Sequence, residues 1–505
     1  MKEEASLARR TDPKGFIVRA ATLLMQLVVP LGVAFATIFD DGALSGRIAW
    51  AAPFVAAIIL ANLLAAYLQW TRLTYTVNEA DIRVESGVLS RAARSVPYDR
   101  IQDVSLEQKL LPRLFGLVEV KFETGAGGKD DLALAYLSES EGERLRELVR
   151  SRSEDAPHAS SPTDAPEIPA DETLFAMGPK RIMTFGLFEF SLAIVAVIGG
   201  LAQQFEFLLP FDLWDLDKWE ERFAGPGQWL AGLGPLAQAA GLAVALTMLG
   251  IVGIVTGVVR TALREWDFRL ERTDKGLRRR RGLLTRTDLV MPLHRVQALR
   301  LETGFLRRLF GWHSLKVISL ASDSGAANHD AVPFGQMEEI APIVGITGFA
   351  LPSADLAWDR ALTRYHIDKV VLAALFLIPA TVVSAFIGKT WLWLAPLGGL
   401  AFIMLDQWWS WRNAWRALGE RQLYARHGWF TSSLAIASRV KLQSVEISQG
   451  PMARLGGYAS LHLGLAGGRL RVHGMPPSEA RAWRAALCDS MARSDFGELL
   501  EKGGA

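Results

Sequence analysis

The sequence predicts an α+β membrane protein in which three similar small domains alternate with three pairs of membrane-spanning helices. The first observation is composition: half of the 505 residues are apolar and the mean hydropathy is +0.19, which is high for a soluble protein. The second is a set of six long apolar runs grouped in pairs. The third is a sequence pattern that occurs three times, which indicates a repeated structural unit.

Six apolar runs approach or exceed the ~20 residues that cross the hydrocarbon core of a bilayer. They pair as 16–39 with 48–68, 182–202 with 230–259, and 370–387 with 391–409. We therefore predict transmembrane pairs within 16–70, 181–259 and 366–409. The first run is long and lacks a small-residue cleavage site, which predicts a retained helix rather than a signal peptide.

The charges around these runs predict their orientation. Basic residues such as Arg9, Arg260 and Arg264 flank one end of the pairs, whereas the connection over 206–222 carries six acidic and two basic residues. Because arginine and lysine favour the cytoplasmic side, we predict that both termini and all three domains lie on the cytoplasmic side of the membrane. The single cysteine, Cys488, agrees with a reducing compartment.

The repeated pattern reads PYDRIQDVSLEQKLLPRLFG at 97–116, PLHRVQALRLETGFLRRLFG at 292–311, and SRVKLQSVEISQGPMARLGG at 438–457. In every copy a basic residue and a glutamine hold fixed positions, and an Arg-Leu pair comes near the end. A glycine lies 29 positions before the last residue of each copy, as Gly87, Gly282 and Gly428. The constant spacing predicts that all three copies have the same local structure.

Each copy lies in a predicted domain of antiparallel strands that ends in a helix. In the first domain the stretches LTYTV, DIRVE, LVEVKFET and DLALAYL alternate apolar and polar residues, as half-buried strands do. Ser138 and Glu141 have capping-box spacing at the start of the closing helix. We place the domains at 71–150, 260–347 and 410–492. The Pro-, Ser- and acid-rich segment 151–180 is predicted to be a disordered linker that leaves the first domain mobile, and 348–360 to be a shorter linker.

The order Gly-x-Leu, Val-Pro or Met-Pro, Arg-Ile-Gln or Arg-Val-Gln, and Arg-Leu-Phe-Gly, after a membrane pair, resembles a known family. It is similar to the bacterial pleckstrin-homology-like (bPH2) membrane proteins of the multi-repeat, YdbT-like type. The third copy departs from the pattern where Ala437-Ser438 replaces Val-Pro. The resemblance implies that each domain is a pleckstrin-homology-like β-barrel capped by a C-terminal helix. It also implies a role in envelope stress or antimicrobial resistance, without a defined enzymatic activity.

Motifs that carry catalysis or hold a cofactor are absent from the sequence. We find no nucleophile elbow, no phosphate-binding Walker loop, no HExxH and no cysteine pair. The eight histidines are scattered, and His294 and His313 are best interpreted as solvated or hydrogen-bonded side chains. We therefore predict no enzymatic activity, no cofactor, no metal and no nucleic-acid partner.

The repeated pattern admits a structural and a functional interpretation. In the structural one, Arg100 and Gln102 satisfy backbone groups at an open sheet edge. In the functional one, the pattern forms a docking face for lipid headgroups or for a neighbouring domain, including a second copy of the chain. The residues assigned to that face are Arg100, Gln102, Arg113, Arg278, Arg279, Arg280, Arg281, Arg295, Gln297, Arg307, Arg308, Lys441, Gln443 and Arg454.

Charge singles out the second copy as the lipid-facing one. Residues 276–316 include ten basic and two acidic residues, a net charge of +8, against +1 for 81–121 and +3 for 422–462. Each arginine near an anionic leaflet is worth about 1 kcal/mol. Leu306, Leu309 and Phe310 lie beside the arginines and suit a headgroup layer over acyl chains. In the alternative interpretation these apolar side chains only close the barrel.

Glu189 lies inside the predicted third span. A carboxylate there is costly, so it indicates a partner, a water-filled path or protonation. We predict a non-enzymatic membrane protein that binds anionic lipid headgroups or protein partners and supports envelope integrity. The alternative is a transporter or lipid-moving protein that uses Glu189.

The predicted orientation can be tested by labelling in a chain that lacks Cys488. A cysteine introduced near Asp41 or Asp215 should react with a membrane-impermeant reagent in intact cells, because both positions are predicted to lie outside. A cysteine at Gly125 should be protected until the membrane is opened. Reaction at Gly125 with protection at Asp41 and Asp215 contradicts the orientation.

Overall fold

The computed structural model describes residues 8–39, 44–87, 90–124, 132–154, 172–191, 232, 234–274, 276–323, 326–386, 393–466 and 468–493. Within these residues the chain is a mixed α/β protein with several antiparallel sheets. Three units repeat one plan, in which seven strands are followed by a C-terminal helix. A short helix separates the fifth strand from the sixth in each unit.

Unit 1 contains β1 (Arg9–Arg10), β2 (Thr74–Val77), β3 (Asp81–Ser86), β4 (Ala92–Pro97), β5 (Ile101–Gln108), α3 (Leu110–Leu114), β6 (Leu117–Thr124), β7 (Leu132–Ser138) and α4 (Glu139–Glu154). Unit 2 contains β8 (Glu172–Ala176), β9 (Arg269–Thr273), β10 (Gly276–Arg281), β11 (Arg286–Met291), β12 (Val296–Gly304), α7 (Phe305–Leu309), β13 (Trp312–Asp323), β14 (Ala326–Gln336) and α8 (Met337–Ile346). Unit 3 contains β15 (Asp359–Arg360), β16 (Trp415–Leu418), β17 (Gln422–His427), β18 (Thr431–Ser438), β19 (Leu442–Ser448), α11 (Pro451–Leu455), β20 (Ala459–Leu465), β21 (Gly468–Met475) and α12 (Pro477–Ala492).

A pair of helices belongs to each unit. The pairs are α1 (Lys14–Phe39) with α2 (Leu44–Arg72), α5 (Pro179–Phe188) with α6 (Pro235–Glu265), and α9 (Thr363–Phe386) with α10 (Leu394–Arg412). Among the described residues, Pro53–Arg72, Pro235–Glu265 and Thr363–Phe386 are long and apolar enough to cross a membrane. At most 17% of their most apolar stretch is buried, so their apolar side chains face outward, as those of lipid-exposed helices do. The full set of six spans stays a prediction.

Each helix pair is inserted between the first and second strands of its unit. Strand β1 pairs with β2 across α1 and α2, β8 pairs with β9 across α5 and α6, and β15 pairs with β16 across α9 and α10. Both ends of a pair are therefore attached to one sheet and lie on the side of its unit. The predicted domain starts at 71, 260 and 410 miss these first strands, which precede the helices.

The two predicted linkers contain parts of the units. Helix α4 extends to Glu154, and β8 lies in the segment 151–180 that we predicted to be disordered, so this prediction is wrong at both ends. Residues 155–171 lie outside the described ranges. The segment 348–360 contains β15 and is held by the Ala350 backbone N–H, which donates to Gln422 Oε1 at 3.1 Å.

Neighbouring units share continuous sheets. One seven-stranded sheet has the order β7-β6-β5-β11-β10-β9-β8, and the other has the order β14-β13-β12-β18-β17-β16-β15. The fifth strand of each unit thus pairs with the fourth strand of the next unit. Because β5 bonds to β11, the first domain is joined to the second and is not the mobile domain that we predicted.

Apolar packing also continues from one unit to the next, between units 2 and 3. Unit 1 buries its own cluster, which includes Val120, Phe122 and Leu134. The cluster of unit 2 also takes in Phe185 from α5 and Ile436 from unit 3, so the boundary between units 2 and 3 is packed like an interior. Among the described residues, the strands of each unit belong to two different sheets. Closure of a unit into a barrel stays a prediction.

A buried ion pair fastens the closing helix of unit 3. Arg416 on β16 is 3% exposed and donates to both carboxylate oxygens of Glu479 on α12, at 2.7 and 2.6 Å. Its Nη1 also donates to the carbonyls of Arg360 on β15 at 3.1 Å and Gly474 on β21 at 3.4 Å. One guanidinium therefore joins the first strand, the second strand and the closing helix.

Arg416→Gln should destabilise unit 3, because it leaves the Glu479 carboxylate and a backbone carbonyl without their charged partner. Breaking a buried pair of this kind costs about 3–5 kcal/mol. The apparent melting temperature of the full chain in detergent is the measurement. Arg493→Gln is the control, because the Arg493–Asp489 pair is exposed at the opposite, C-terminal end of the same helix and should contribute less than ~1 kcal/mol. Equal losses for the two variants would contradict the assignment.

Candidate membrane-facing site

The short helices α3, α7 and α11 present the same leucine to the outside. Leu114, Leu309 and Leu455, which follow the repeated arginine, are 73%, 67% and 88% exposed. Each helix ends two residues before a glycine in the left-handed region, such as Gly311 with φ of 72°, which turns the chain into the next strand. The repeated Arg-Leu pair therefore shapes an exposed apolar tip rather than filling a core.

Helix α7 carries the most apolar of these tips. Phe305, Leu306, Leu309 and Phe310 are between 40% and 67% exposed, so they do not close the unit, and the alternative interpretation fails for them. Arg308 lies over the ring of Phe305, with 5.9 Å between the guanidinium carbon and the ring centroid. An arginine beside exposed aromatic and aliphatic side chains suits the headgroup region of a membrane.

Glu189 and Arg307, two residues singled out separately in the sequence, are partners. Arg307 Nη2 donates to Glu189 Oε1, and the Arg307 guanidinium also lies 4.8 Å from the ring centroid of Phe185. Burial lowers the pKa of Arg307, while the Glu189 carboxylate raises it. The ion pair fastens α7 to the end of α5, so Arg307 is not a free cation at the tip.

Glu189 lies just after the end of helix α5 rather than within a continuous helix. Helix α5 ends at Phe188, and the backbone N–H of Ser191 donates to the carbonyl of Gly253 on α6 at 3.1 Å. A Cβ atom at Gly257 would stand 1.8 Å from the Glu189 carbonyl oxygen, so only glycine allows this approach. The helix that we predicted over 182–202 is interrupted here, and residues 192–202 lie outside the described ranges.

The arginine run of β10 is largely paired with carboxylates. Arg278 donates to Asp288 at 2.9 and 2.6 Å, and Arg280 reaches the same carboxylate at 3.2 Å. Burial raises the pKa of Asp288, but its bonds to Arg278 and the neighbouring guanidinium charges outweigh this and hold the pKa below its usual range. Arg279 is 1% exposed and donates to the carbonyl of Asp330 at 3.3 Å.

In unit 3, the basic residue of the repeated pattern is Lys441, and it contacts the neighbouring unit. Lys441 Nζ donates to the carbonyls of Val296 at 2.9 Å and His294 at 3.3 Å, both in unit 2, and burial lowers the pKa of Lys441. This is the backbone-satisfying role of the structural interpretation, directed at a neighbouring unit. Arg113 behaves similarly, since its Nη1 donates to the carbonyl of Leu283 at 2.8 Å.

The other predicted positions differ in exposure. Gln297 is buried and donates to the carbonyl of Arg295 at 3.1 Å, whereas Arg100, Gln443 and Arg454 are exposed. The side chain of Gln102 lies outside the described part of the chain. The structure thus does not gather the predicted residues into one pocket.

A groove of about 590 Å3 lies between the end of α6 and the turn that joins β10 to β11. The turn is held there because the backbone N–H of Leu283 donates to the carbonyl of Leu263 at 3.0 Å. The groove is lined by Val255, Thr256, Val259, Arg260, Leu263, Arg264, Arg281, Leu284, Thr285 and Thr287. It combines an apolar floor with three guanidinium groups, which is the chemistry that an acyl chain and a phosphate require.

The arginines of the groove are partly neutralised. The buried Glu265 carboxylate accepts from Arg264 at 2.6 Å and from Arg281 at 3.0 Å. Arg281 also reaches Asp330 at 3.2 Å. Two carboxylates therefore offset three cations, and Arg260 at the last turns of α6 is exposed. The groove keeps a net charge of about one positive unit.

Comparison with known proteins identifies the repeated unit. Residues 27–153, 229–345 and 362–491, together most of the chain, match the model of a family described as bacterial PH domain. The chain belongs to the bacterial PH domain family. Each matched segment begins inside or beside a helix pair and leaves out the first strand of its unit. The resemblance predicted from the repeated pattern is confirmed.

The chain also resembles the UPF0699 transmembrane protein YdbT of Bacillus subtilis (strain 168). The two are 24% identical over 268 residues, which are 50% of this chain and 51% of that protein. The match thus spans about half the length of this curated relative. Membrane helices and repeated bacterial PH units are therefore features of the chain, and the relative's name adds no ligand.

Two groove residues of the second bacterial PH unit were missed as binding residues in the sequence. Arg260 and Arg264 were interpreted only as markers of orientation. Their spacing of four residues places them on one face of α6, together with Thr256 and Leu263, and this helical spacing was the available signal. Among the described residues, no group of three or more His, Cys, Asp or Glu side chains is arranged to hold a metal.

The Glu189–Arg307 pair predicts coupled loss of stability. Glu189→Gln should destabilise the contact between α5 and α7 by about 1–3 kcal/mol, since Arg307 loses a charged partner. Arg307→Gln should do the same, and the double variant should be no less stable than the worse single variant. Apparent melting temperatures of the full chain measure this, with the exposed Glu338→Gln as control. Additive losses in the double variant would show that the two residues do not interact.

Proposed function

We propose that the chain is a non-enzymatic protein of the bacterial inner membrane that holds anionic lipid headgroups against its second bacterial PH unit. The groove between α6 and the β10–β11 turn is the observation that carries this proposal. Its apolar floor continues from a helix of membrane-spanning length, and its arginines stand where that helix ends. A lipid in this position keeps its acyl chain beside Val255 and Val259 and its phosphate beside Arg260.

The charge of the groove suits a singly charged phosphodiester. A net charge of about +1 attracts one phosphate, whereas the uncompensated run of four arginines expected from the sequence would favour more highly charged ligands. The exposed tips of α3, α7 and α11 supply further contact through their leucines. The units lie in the cytoplasm in this proposal, because basic residues flank the unit side of the helix pairs.

The proposed role is to support envelope integrity under stress. It rests on the family resemblance and on the proposed binding of lipid by the units at the membrane surface. A transporter that uses Glu189 is the weaker candidate, because that carboxylate is engaged by Arg307 at the end of α5. We therefore favour binding over transport.

Removal of two groove cations should weaken anionic lipid binding. The full chain, purified in nanodiscs of zwitterionic lipid, should be stabilised by added phosphatidylglycerol, since a ligand of the folded state raises the melting temperature. Arg260→Gln together with Arg264→Gln should lower the lipid affinity by ~2 kcal/mol, roughly 30-fold. Binding to the unaltered chain should weaken as salt shortens the Debye length below ~10 Å.

Arg412→Gln is the matched control, because Arg412 is an exposed arginine at the end of α10 and lies outside the groove. Equal binding by the groove variant and the unaltered chain, or binding that salt does not change, would contradict the proposal. In cells, a deletion strain challenged with membrane-active compounds should be rescued by the Arg412→Gln and Glu189→Gln chains but not by the groove variant. Failure of Glu189→Gln alone, with normal membrane insertion, would favour transport.

A further inference from the structure

Neighbouring units meet at two joints, in each of which the fifth strand of one unit pairs with the fourth strand of the next unit. The two joints have the same register. At the first, Arg286 pairs with Gln108, Thr287 with Glu107 and Asp288 with Leu106. At the second, Ser432 pairs with Thr303, Ser433 with Glu302 and Leu434 with Leu301. The repeat spacing places each of these pairs at corresponding positions of the pattern. The register between a fifth strand and the next unit's fourth strand is therefore fixed by the repeat itself.

The first and last of the three units each have one joint strand with no neighbouring unit to pair with. Within the described residues, β4 pairs with β3 on one side only, and β19 pairs with β20 on one side only. Most residues of both strands are exposed, for example Arg94 and Glu446. Positions that correspond to Arg94 and Val445 are covered in the internal joint, where Leu289 and Leu299 are 1% and 0% exposed. Strand β4 is the fourth strand of unit 1, and β19 is the fifth strand of unit 3.

We propose that β19 of one copy of the chain pairs with β4 of a second copy, in the register of the internal joints. An exposed edge with unpaired N–H and C=O groups is a template for another strand, and the chain already carries the matching strand at its other end. Transfer of the register places Glu446 opposite Arg94, Ile447 opposite Ala93 and Val445 opposite Ser95. Opposite charges thus face each other at the centre of the joint.

A second contact supports the same arrangement. Lys441 of unit 3 crosses the internal joint and donates to the carbonyls of His294 and Val296 in unit 2. Arg100 occupies the same position of the pattern in unit 1 and is exposed. In the proposed joint, Arg100 of the second copy reaches the carbonyls of Val440 and Leu442, which correspond to those of His294 and Val296. The basic residue of the pattern then crosses a joint in unit 1 as it does in unit 3.

The contact is heterologous, because it joins two different surfaces. Repeated use gives a ring if the rotation closes and an open row of molecules if it does not. Since each unit carries its own helix pair, each added copy extends the array along the membrane. The partner is therefore another copy of this chain in the same bilayer.

Cysteine cross-linking in membranes tests the register. Two differently tagged full chains, both with Cys488→Ser, are co-expressed, one with Arg94→Cys and the other with Glu446→Cys. A disulfide between the two chains is expected, because directly opposed strand residues come within disulfide range. Glu85→Cys replaces Arg94→Cys in the control: Glu85 is exposed but lies one strand further from the joint, on β3.

The proposal is overturned if the Arg94→Cys chain cross-links to the Glu446→Cys chain no better than the Glu85→Cys chain does. It is also overturned if Arg94→Cys chains cross-link mainly to each other, which would show a symmetric contact. Charge reversal provides a second measurement, by native size analysis of the detergent-solubilised full chain. Arg94→Glu should reduce assembly several-fold, and the combination with Glu446→Arg should restore it. Arg100→Ala should also reduce assembly, whereas Arg83→Ala, an exposed change on β3, should not.

Discussion

The backbone groups at the edge of a β-sheet must be bonded to water or to another strand, and this constraint organises the chain. In the described part of each unit, the outer edges of the fourth and fifth strands are not hydrogen-bonded to any other strand of that unit. Placing the units in a row pairs the fifth strand of one with the fourth strand of the next. The same step buries apolar side chains of both partners, so units 2 and 3 pack across their boundary as one interior.

The joint between units explains several residues of the repeated pattern. Its basic residue is a clamp between units at Lys441, and the arginine of its short helix bonds across the other joint at Arg113. Its leucine is exposed in all three copies. One short stretch therefore supplies both a contact between units and an exposed apolar side chain, which explains why it is repeated with constant spacing.

Much of the architecture was predictable from local sequence. Alternation such as that of Leu117–Thr124 identified strands, apolar length identified the helices, and the spacing of glycines revealed the repeat. The first strands were missed because two to five residues show no periodicity and their partners lie beyond a helix pair. The continuous sheets were missed because pairing between distant strands leaves no local signal.

The site was predicted less well, for a related reason. A count of charge over 276–316 omitted Glu265 and Asp330, which lie outside that window and neutralise Arg281. Glu189 and Arg307 were each noticed, but their contact joins positions far apart in the chain. Exposure of Leu309 or Phe310 could not be distinguished from burial by their apolar character alone. Whether an arginine is neutralised depends on the carboxylates that lie near it in the structure, and the residue type alone does not show this.

The insertion of each helix pair between two bonded strands has a consequence for biogenesis. The first strand leaves the ribosome before the helices do, and its partner strand is synthesised only after both of them. The sheet of a unit therefore cannot be completed until its helix pair has been made, which leaves an interval in which the helices can enter the bilayer before the sheet forms. The order of the strands thus separates the two partners in time as well as in sequence.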